Sequence, residues 1–240
     1  MRREGKWPAV LVVATAVAVI AVTGYLLSTW PPDPPPAPDA ERLRGAEPSP
    51  SSSREEDLRA LVVLGDSYSA ESTAGDGPGW PELLDRSTDW EVVTEAVYGS
   101  GYVSQGDGAR FGERVPAVIE RDANVILVAG GVDDLGVHPM RRIVDNANDV
   151  VTRLAEGAPE AQVVVVSPFS NDDPGPLTQE FSAELRTIAQ SHGLPYVDAT
   201  DWLVPGEEFF GDDPARPDDR GQQRIAAQME KALSDLDLAQ

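Results

Sequence analysis

From residue 58 onward, short runs of aliphatic and β-branched residues alternate with longer stretches whose apolar positions return every three or four residues. The first pattern predicts strands at Leu61 to Leu64, Trp90 to Thr94, Val125 to Ala129, Val163 to Val166 and Tyr196 to Val197. The second predicts helices at Pro81 to Arg86, Gly112 to Arg121, Pro139 to Ala155, Leu177 to Ser191 and Gln222 to Leu236. Ile143, Val144, Ala147, Val150, Val151 and Leu154 follow the i, i+3, i+4, i+7 spacing of a helix that lays one face on a sheet. Strands that are apolar throughout must be covered on both faces, so the alternation implies a parallel sheet between two helical layers. In such folds the ligand crevice lies outside the carboxyl ends of the strands.

The amino-terminal part reads differently. Pro8 to Leu27 contains no charged residue and is dominated by Val and Ala; twenty such residues are enough to span a bilayer. Arg2, Arg3 and Lys6 precede this run, so positive charge on the cytoplasmic side places the N-terminus inside and everything after Trp30 outside. Residues 1–7 then form a cytoplasmic tail and residues 8–30 a single-pass signal anchor in the cell membrane, flanked by Trp7 and Trp30. A cleaved signal peptide with a secreted product is the rival reading, and a core helix of a soluble domain is a third. Residues 31–57 are rich in Pro, Ser and charge with little to bury, which predicts a disordered linker reaching roughly 80 Å if extended. The folded domain is expected over 58–240.

Composition then removes function classes. The chain has 19 Lys and Arg against 41 Asp and Glu, a formal charge of -22, no Cys and two His. A domain so acidic repels a phosphate backbone, so nucleic acid is excluded as a partner, and cysteine-based zinc or disulfide scaffolds have no ligands here. The acid pairs Asp133-Asp134, Asp172-Asp173, Asp212-Asp213 and Asp218-Asp219 invite a calcium reading, but none has the spacing of a ligand loop, and solvated acids are the simpler account. No metal and no cofactor is expected.

The candidate chemistry sits at the strand ends. The first strand runs into Gly65-Asp66-Ser67-Tyr68, which places a hydroxyl where the chain must turn; the third runs into Gly130-Gly131-Val132-Asp133-Asp134; and Asp213-Pro214-Ala215-Arg216-Pro217 precedes the last helix. With Tyr98-Gly99-Ser100-Gly101-Tyr102, these blocks resemble those of the SGNH, or GDSL-like, hydrolases over residues 61 to about 235. The resemblance implies a three-layer α/β/α sandwich with a flavodoxin-like sheet of about five strands. It also implies hydrolysis of esters or acetyl esters, with small-molecule esters, glycans or lipids of the cell envelope as ligands. It assigns Ser67 as nucleophile, Asp213 as the residue orienting the base, and the amides of Ser67 and Gly99 as oxyanion donors, with Gly101 an alternative to Gly99.

Two positions depart from that pattern. Arg216 stands at the His position and Asp133 at the Asn position. An arginine has no basic lone pair near neutral pH, and an ionised Asp only accepts hydrogen bonds. Weak or absent turnover is therefore expected, with Arg216 paired to Asp213 or compensating Asp133. The crevice could instead serve a non-catalytic binding domain, Arg216 receiving an anionic or glycan ligand. His138, on the loop after the third strand, is the alternative base, whereas His192 suits a helix end. Tyr98 and Tyr102 are core or rim aromatics that could also line a ligand pocket, Phe169 to Pro176 is expected to form a mobile lip, and Asp66 to brace the turn at Ser67.

Overall fold

The computed structural model describes residues 59–70, 77–170, 174–204, 209–211 and 216–238. The elements run, in chain order, β1 (Arg59–Gly65), α1 (Trp80–Ser87), β2 (Trp90–Ala96), α2 (Phe111–Glu120), β3 (Val125–Ala129), α3 (Met140–Gly157), β4 (Gln162–Val166), α4 (Pro176–Ser191), β5 (Tyr196–Val197) and α5 (Asp219–Asp235). All ten elements predicted by the hydropathic pattern are present. Helix α5 starts three residues before the predicted Gln222, because the Asp218 carboxylate accepts the amides of Arg220 and Gly221 and so caps it.

All strand pairings are parallel and the sheet order is β2-β1-β3-β4-β5. Alternate residues of each strand feed two separate cores. Val62, Leu64, Ile126, Val128, Val163 and Val165 face α2, α3 and α4 through residues such as Val115, Ile143, Val151 and Leu185. Leu61, Val63, Leu127, Ala129, Val164 and Val166 face α1 and α5 through Trp80, Leu84, Ile225 and Met229. Leu61 to Leu64 are wholly buried, and each such side chain contributes about 1.5–3 kcal/mol by leaving water. The result is the three-layer sandwich with a five-stranded parallel sheet.

Register sets the position of the site. Ala96, Gly65, Ala129, Val166 and Val197 pair across one row at the carboxyl edge, so all five strands end at the same level. After β1 the chain adds β2 on one side and then β3 on the other. The chain segments leaving β1 and β3 therefore diverge at a topological switch point, where open α/β sheets leave room for a ligand.

The proposed anchor at 8–30 and linker at 31–57 lie outside the described residues. Among the described residues no helix is long and apolar enough to cross a membrane.

Candidate active site

The nucleophile candidate is placed by the acid that precedes it. Asp66 is fully buried. Its carboxylate accepts the amides of Tyr68 at 3.0 Å, Gly131 at 2.8 Å and Val132 at 3.3 Å, while its carbonyl accepts those of Ser69 and Ala70. The bonds from Gly131 and Val132 tie the exit of β1 to the exit of β3, while those from Tyr68, Ser69 and Ala70 fold the chain back so that Ser67 stands on the turn. Gly130 is required for this approach. Its φ is 139°, and a Cβ there would lie 2.4 Å from Asp66 Cγ, closer than non-bonded carbons can come.

A second buried acid positions the loop after β2. The short 3-10 turn Val132–Asp134 follows β3. Asp134, itself fully buried, accepts the amides of Tyr102 and Ser104 at 2.7 Å each and of Val103 at 3.2 Å. Ser104 Oγ returns a bond to the Asp133 carbonyl at 3.1 Å. The loop carrying Gly99 is held from its other side by Arg114 of α2, which donates to the Gly65 carbonyl at 2.9 Å, to Ser100 Oγ at 2.8 Å, to the Ala109 carbonyl at 3.0 Å and to the Glu95 carbonyl. Burial pulls the Arg114 guanidinium down to about 10, with Asp66 and Glu95 opposing, so it stays charged at neutral pH.

These braces converge on Ser67. Its hydroxyl donates to Asp133 Oδ2 at 2.8 Å and its amide reaches the same oxygen at 3.3 Å. From the other side the amide of Gly99, turned by a φ of 70°, donates to Ser67 Oγ at 2.7 Å. Ser67 is nearly buried, at 3% exposure. Desolvation raises the Asp133 carboxyl above the usual carboxylate range, against the two bonds from Ser67 that stabilise its ionised form. Burial, then the field of Asp133, pushes Asp66 up to about 7 although three amides favour its charge. Burial and the same two acids raise the Tyr68 phenol.

A hydroxyl on the turn after a central strand, an amide aimed at it and a carboxylate beside it form an acyl-transfer constellation. Residues 63–224 match the GDSL-like Lipase/Acylhydrolase family. The chain belongs to that family. Similar solved structures include the psychrotrophic esterase EstA from a Pseudoalteromonas species, at TM-score 0.61 and 17% identity over 74% of this chain and 98% of that one. A lipase/acylhydrolase from Enterococcus faecalis gives 0.61 and 16% over 73% and 95%. A catalytic mutant of the acetylxylan esterase Axe2 from Geobacillus stearothermophilus gives 0.57 and 14% over 72% and 93%. Among curated proteins none matches.

Of the residues that the GDSL-like pattern singles out, the structure brings Gly99 and Asp133 each into hydrogen-bond contact with Ser67. Asp213 lies outside the described residues. Arg216 stands just before α5 with its guanidinium 4.8 Å from the ring centroid of Tyr98, the neighbour of Gly99 in sequence, while the Asp133 carboxylate turns to Ser67. The amide of His138 donates to the Asp134 carbonyl at 3.0 Å; no hydrogen bond joins its ring to Ser67, whose proton is directed at Asp133. His192 caps α4 at the opposite edge of the sheet, near Thr152 Oγ1 and Asn148 Oδ1.

One expectation is met and one needs correction. Tyr102 is a core aromatic, not a pocket lining: it is fully buried against Phe111 and Phe181, and its backbone amide donates to Asp134. Phe169 does not begin a mobile lip but packs among Tyr68, Trp80 and Trp202; residues 171–173 lie outside the described residues. Asp134 and Arg114 were not singled out as supports of the site. Arg114 left a signal, since it lies between Phe111 and Val118 on the buried face of α2. Asp134 left none beyond its position in the Gly131 block, since nothing local distinguishes a buried acceptor from a solvated acid.

Proposed function

We propose that this chain is a membrane-tethered, extracytoplasmic serine hydrolase of acyl or acetyl esters, working slowly because Arg216 and Asp133 occupy the His and Asn positions of its family. One observation carries the reading: Ser67 Oγ stands between the Gly99 amide at 2.7 Å and the Asp133 carboxylate at 2.8 Å, at the carboxyl edge of the sheet. The hydroxyl can attack an ester carbonyl, and the Gly99 amide can follow the charge onto the oxyanion. What the arrangement lacks is an imidazole to take the proton, and loss of a triad member typically costs about 10⁴-fold in rate. The names of the similar structures, an esterase and an acetylxylan esterase among them, support ester chemistry of this kind. The uncharged run Pro8 to Leu27 supports the tether.

The test is hydrolysis of short p-nitrophenyl esters by the full chain in detergent. Slow turnover abolished by Ser67→Ala is expected. The double variant Asp133→Asn, Arg216→His, which rebuilds the family's residues, should gain about 10²-fold or more. Turnover that survives Ser67→Ala, or a wild-type kcat at the typical enzyme value of about 10 s⁻¹, would defeat the reading.

A second reading is supported by Arg216 lying over the exposed ring of Tyr98: a non-catalytic site for an anionic or glycan ligand. It predicts no Ser67-dependent turnover, together with binding of a uronic acid that Arg216→Ala removes.

A further inference from the structure

The carboxylate that replaces the family's Asn is closer to the nucleophile than any other proton acceptor among the described residues. Asp133 Oδ2 lies 2.8 Å from Ser67 Oγ and also receives the Ser67 amide at 3.3 Å. Two bonds from one residue fix that oxygen on the hydroxyl proton, and a candidate base is judged first by such reach. The backbone of Asp133 is fixed as well, by Ser104 Oγ on its carbonyl and by the three amides that hold its neighbour Asp134. Gly99 donates to the far side of the same hydroxyl, which leaves the Ser67 proton pointing at the carboxylate.

We propose that Asp133 is the general base for Ser67, so that the site cleaves carboxylic esters with a serine–carboxylate pair in place of the histidine relay. The idea rests on the slow-esterase reading and supplies its missing proton acceptor. As Ser67 Oγ bonds to the ester carbonyl carbon, its proton passes to Asp133 Oδ2 and the carbonyl electron pair moves onto oxygen, which the Gly99 amide stabilises. When that pair returns, the bond to the alkoxy oxygen breaks and Asp133 gives the proton to the departing alcohol. Water then attacks the acyl-serine, losing one proton to Asp133, which returns it to Ser67 Oγ as the acid leaves. Atoms and charge balance with no further reactant. A carboxylate is a weaker base than imidazole, so the scheme remains slow.

The surroundings suit the role. Desolvation raises Asp133, as does the charge of Asp134 on its own turn, and Asp66 and Tyr68 from the exit of β1 couple to it electrostatically. Raising a carboxyl toward the operating pH improves its basicity.

The experiment measures covalent labelling of Ser67 by a fluorophosphonate, read by intact mass, beside p-nitrophenyl acetate hydrolysis by the full chain in detergent, over pH from about 4 to 9. For wild type, both rates should rise with the ionisation of Asp133, broadened by the neighbouring Asp66 that titrates in the same range, and then level off. Asp133→Asn should lower both by about 10² or more and remove the pH-dependent limb, while Asp133→Glu retains that limb. The double variant with Arg216→His shows whether an Asn at 133 is compatible with a folded, reactive site. Asp133→Asn reacting as fast as wild type, or loss of labelling in His138→Ala, overturns the assignment and leaves the slow-esterase reading standing. Absence of any Ser67-dependent reaction in wild type overturns both.

Discussion

Replacing Asp134 by Asn tests whether hydrogen bonding or charge decides the architecture of the site. The two oxygens of Asp134 serve three amides, Tyr102 and Val103 through Oδ2 and Val103 and Ser104 through Oδ1, the shortest at 2.7 Å. Asn keeps one oxygen. Whichever way it is turned, its NH₂ faces either the Tyr102 or the Ser104 amide, donor against donor. One bond to a charged acceptor is lost and its N–H is left without a partner, a single loss of about 3 kcal/mol, at the upper end for a stranded donor because the acceptor was charged. That is a large part of a typical stability of about 5–15 kcal/mol, and it should lower Tm by about 6–12 °C. Urea unfolding followed by Trp fluorescence gives the free energy by linear extrapolation, and fluorophosphonate labelling should fall in parallel as the Gly99 loop loosens. If removing a negative charge from a cluster that includes Asp66 and Asp133 dominated instead, Asp134→Asn would be neutral or stabilising. A change within about 0.5 kcal/mol of wild type, or a gain, refutes the argument.

Two further outcomes follow from the same braces. Gly130→Ala combines a φ of 139° with a Cβ 2.4 Å from Asp66 Cγ, so it should destabilise by at least about 2 kcal/mol and slow Ser67 labelling, whereas Gly175→Ala, in open space, should do neither; equal melting temperatures would contradict this. Asp66, raised to about 7 from 3.8, binds its proton more tightly folded than unfolded, so its contribution to stability is full below about pH 4 and declines as pH rises through about 7. The decline is worth at most about 4 kcal/mol; Asp66→Asn should flatten the urea midpoint over that window, and an unchanged slope would count against it.

The fold was legible because each element carries its own period. β1, β3 and β4 read as continuous apolar runs since both faces are covered, and α3 shows its stripe over about three turns. The blocks at Ser67, Gly99 and Asp133 could be read because each directly follows a strand, and the common row of strand ends does the rest. The supports could not be read in the same way. Asp134 and Arg114 act on backbone groups as far as 49 residues distant, and no local pattern encodes which amide or carbonyl a side chain will meet. For the same reason no local pattern shows that Asp133 meets Ser67, which the turn after β1 delivers within hydrogen-bond reach.

The last helix has a consequence for how the molecule is made. Gln222 of α5 accepts the Trp80 amide at 2.8 Å, and Trp80 donates from its indole to Ser69, two residues past Ser67; Ile225, Met229 and Leu233 complete the layer over Leu61, Val63 and Leu127. A nascent or clipped polypeptide that stops before this helix leaves an oily sheet face uncovered and a loosened turn at the nucleophile. Such a fragment should be cleared by proteases or lost to aggregation, so the reactive hydroxyl becomes available only once this helix has been made.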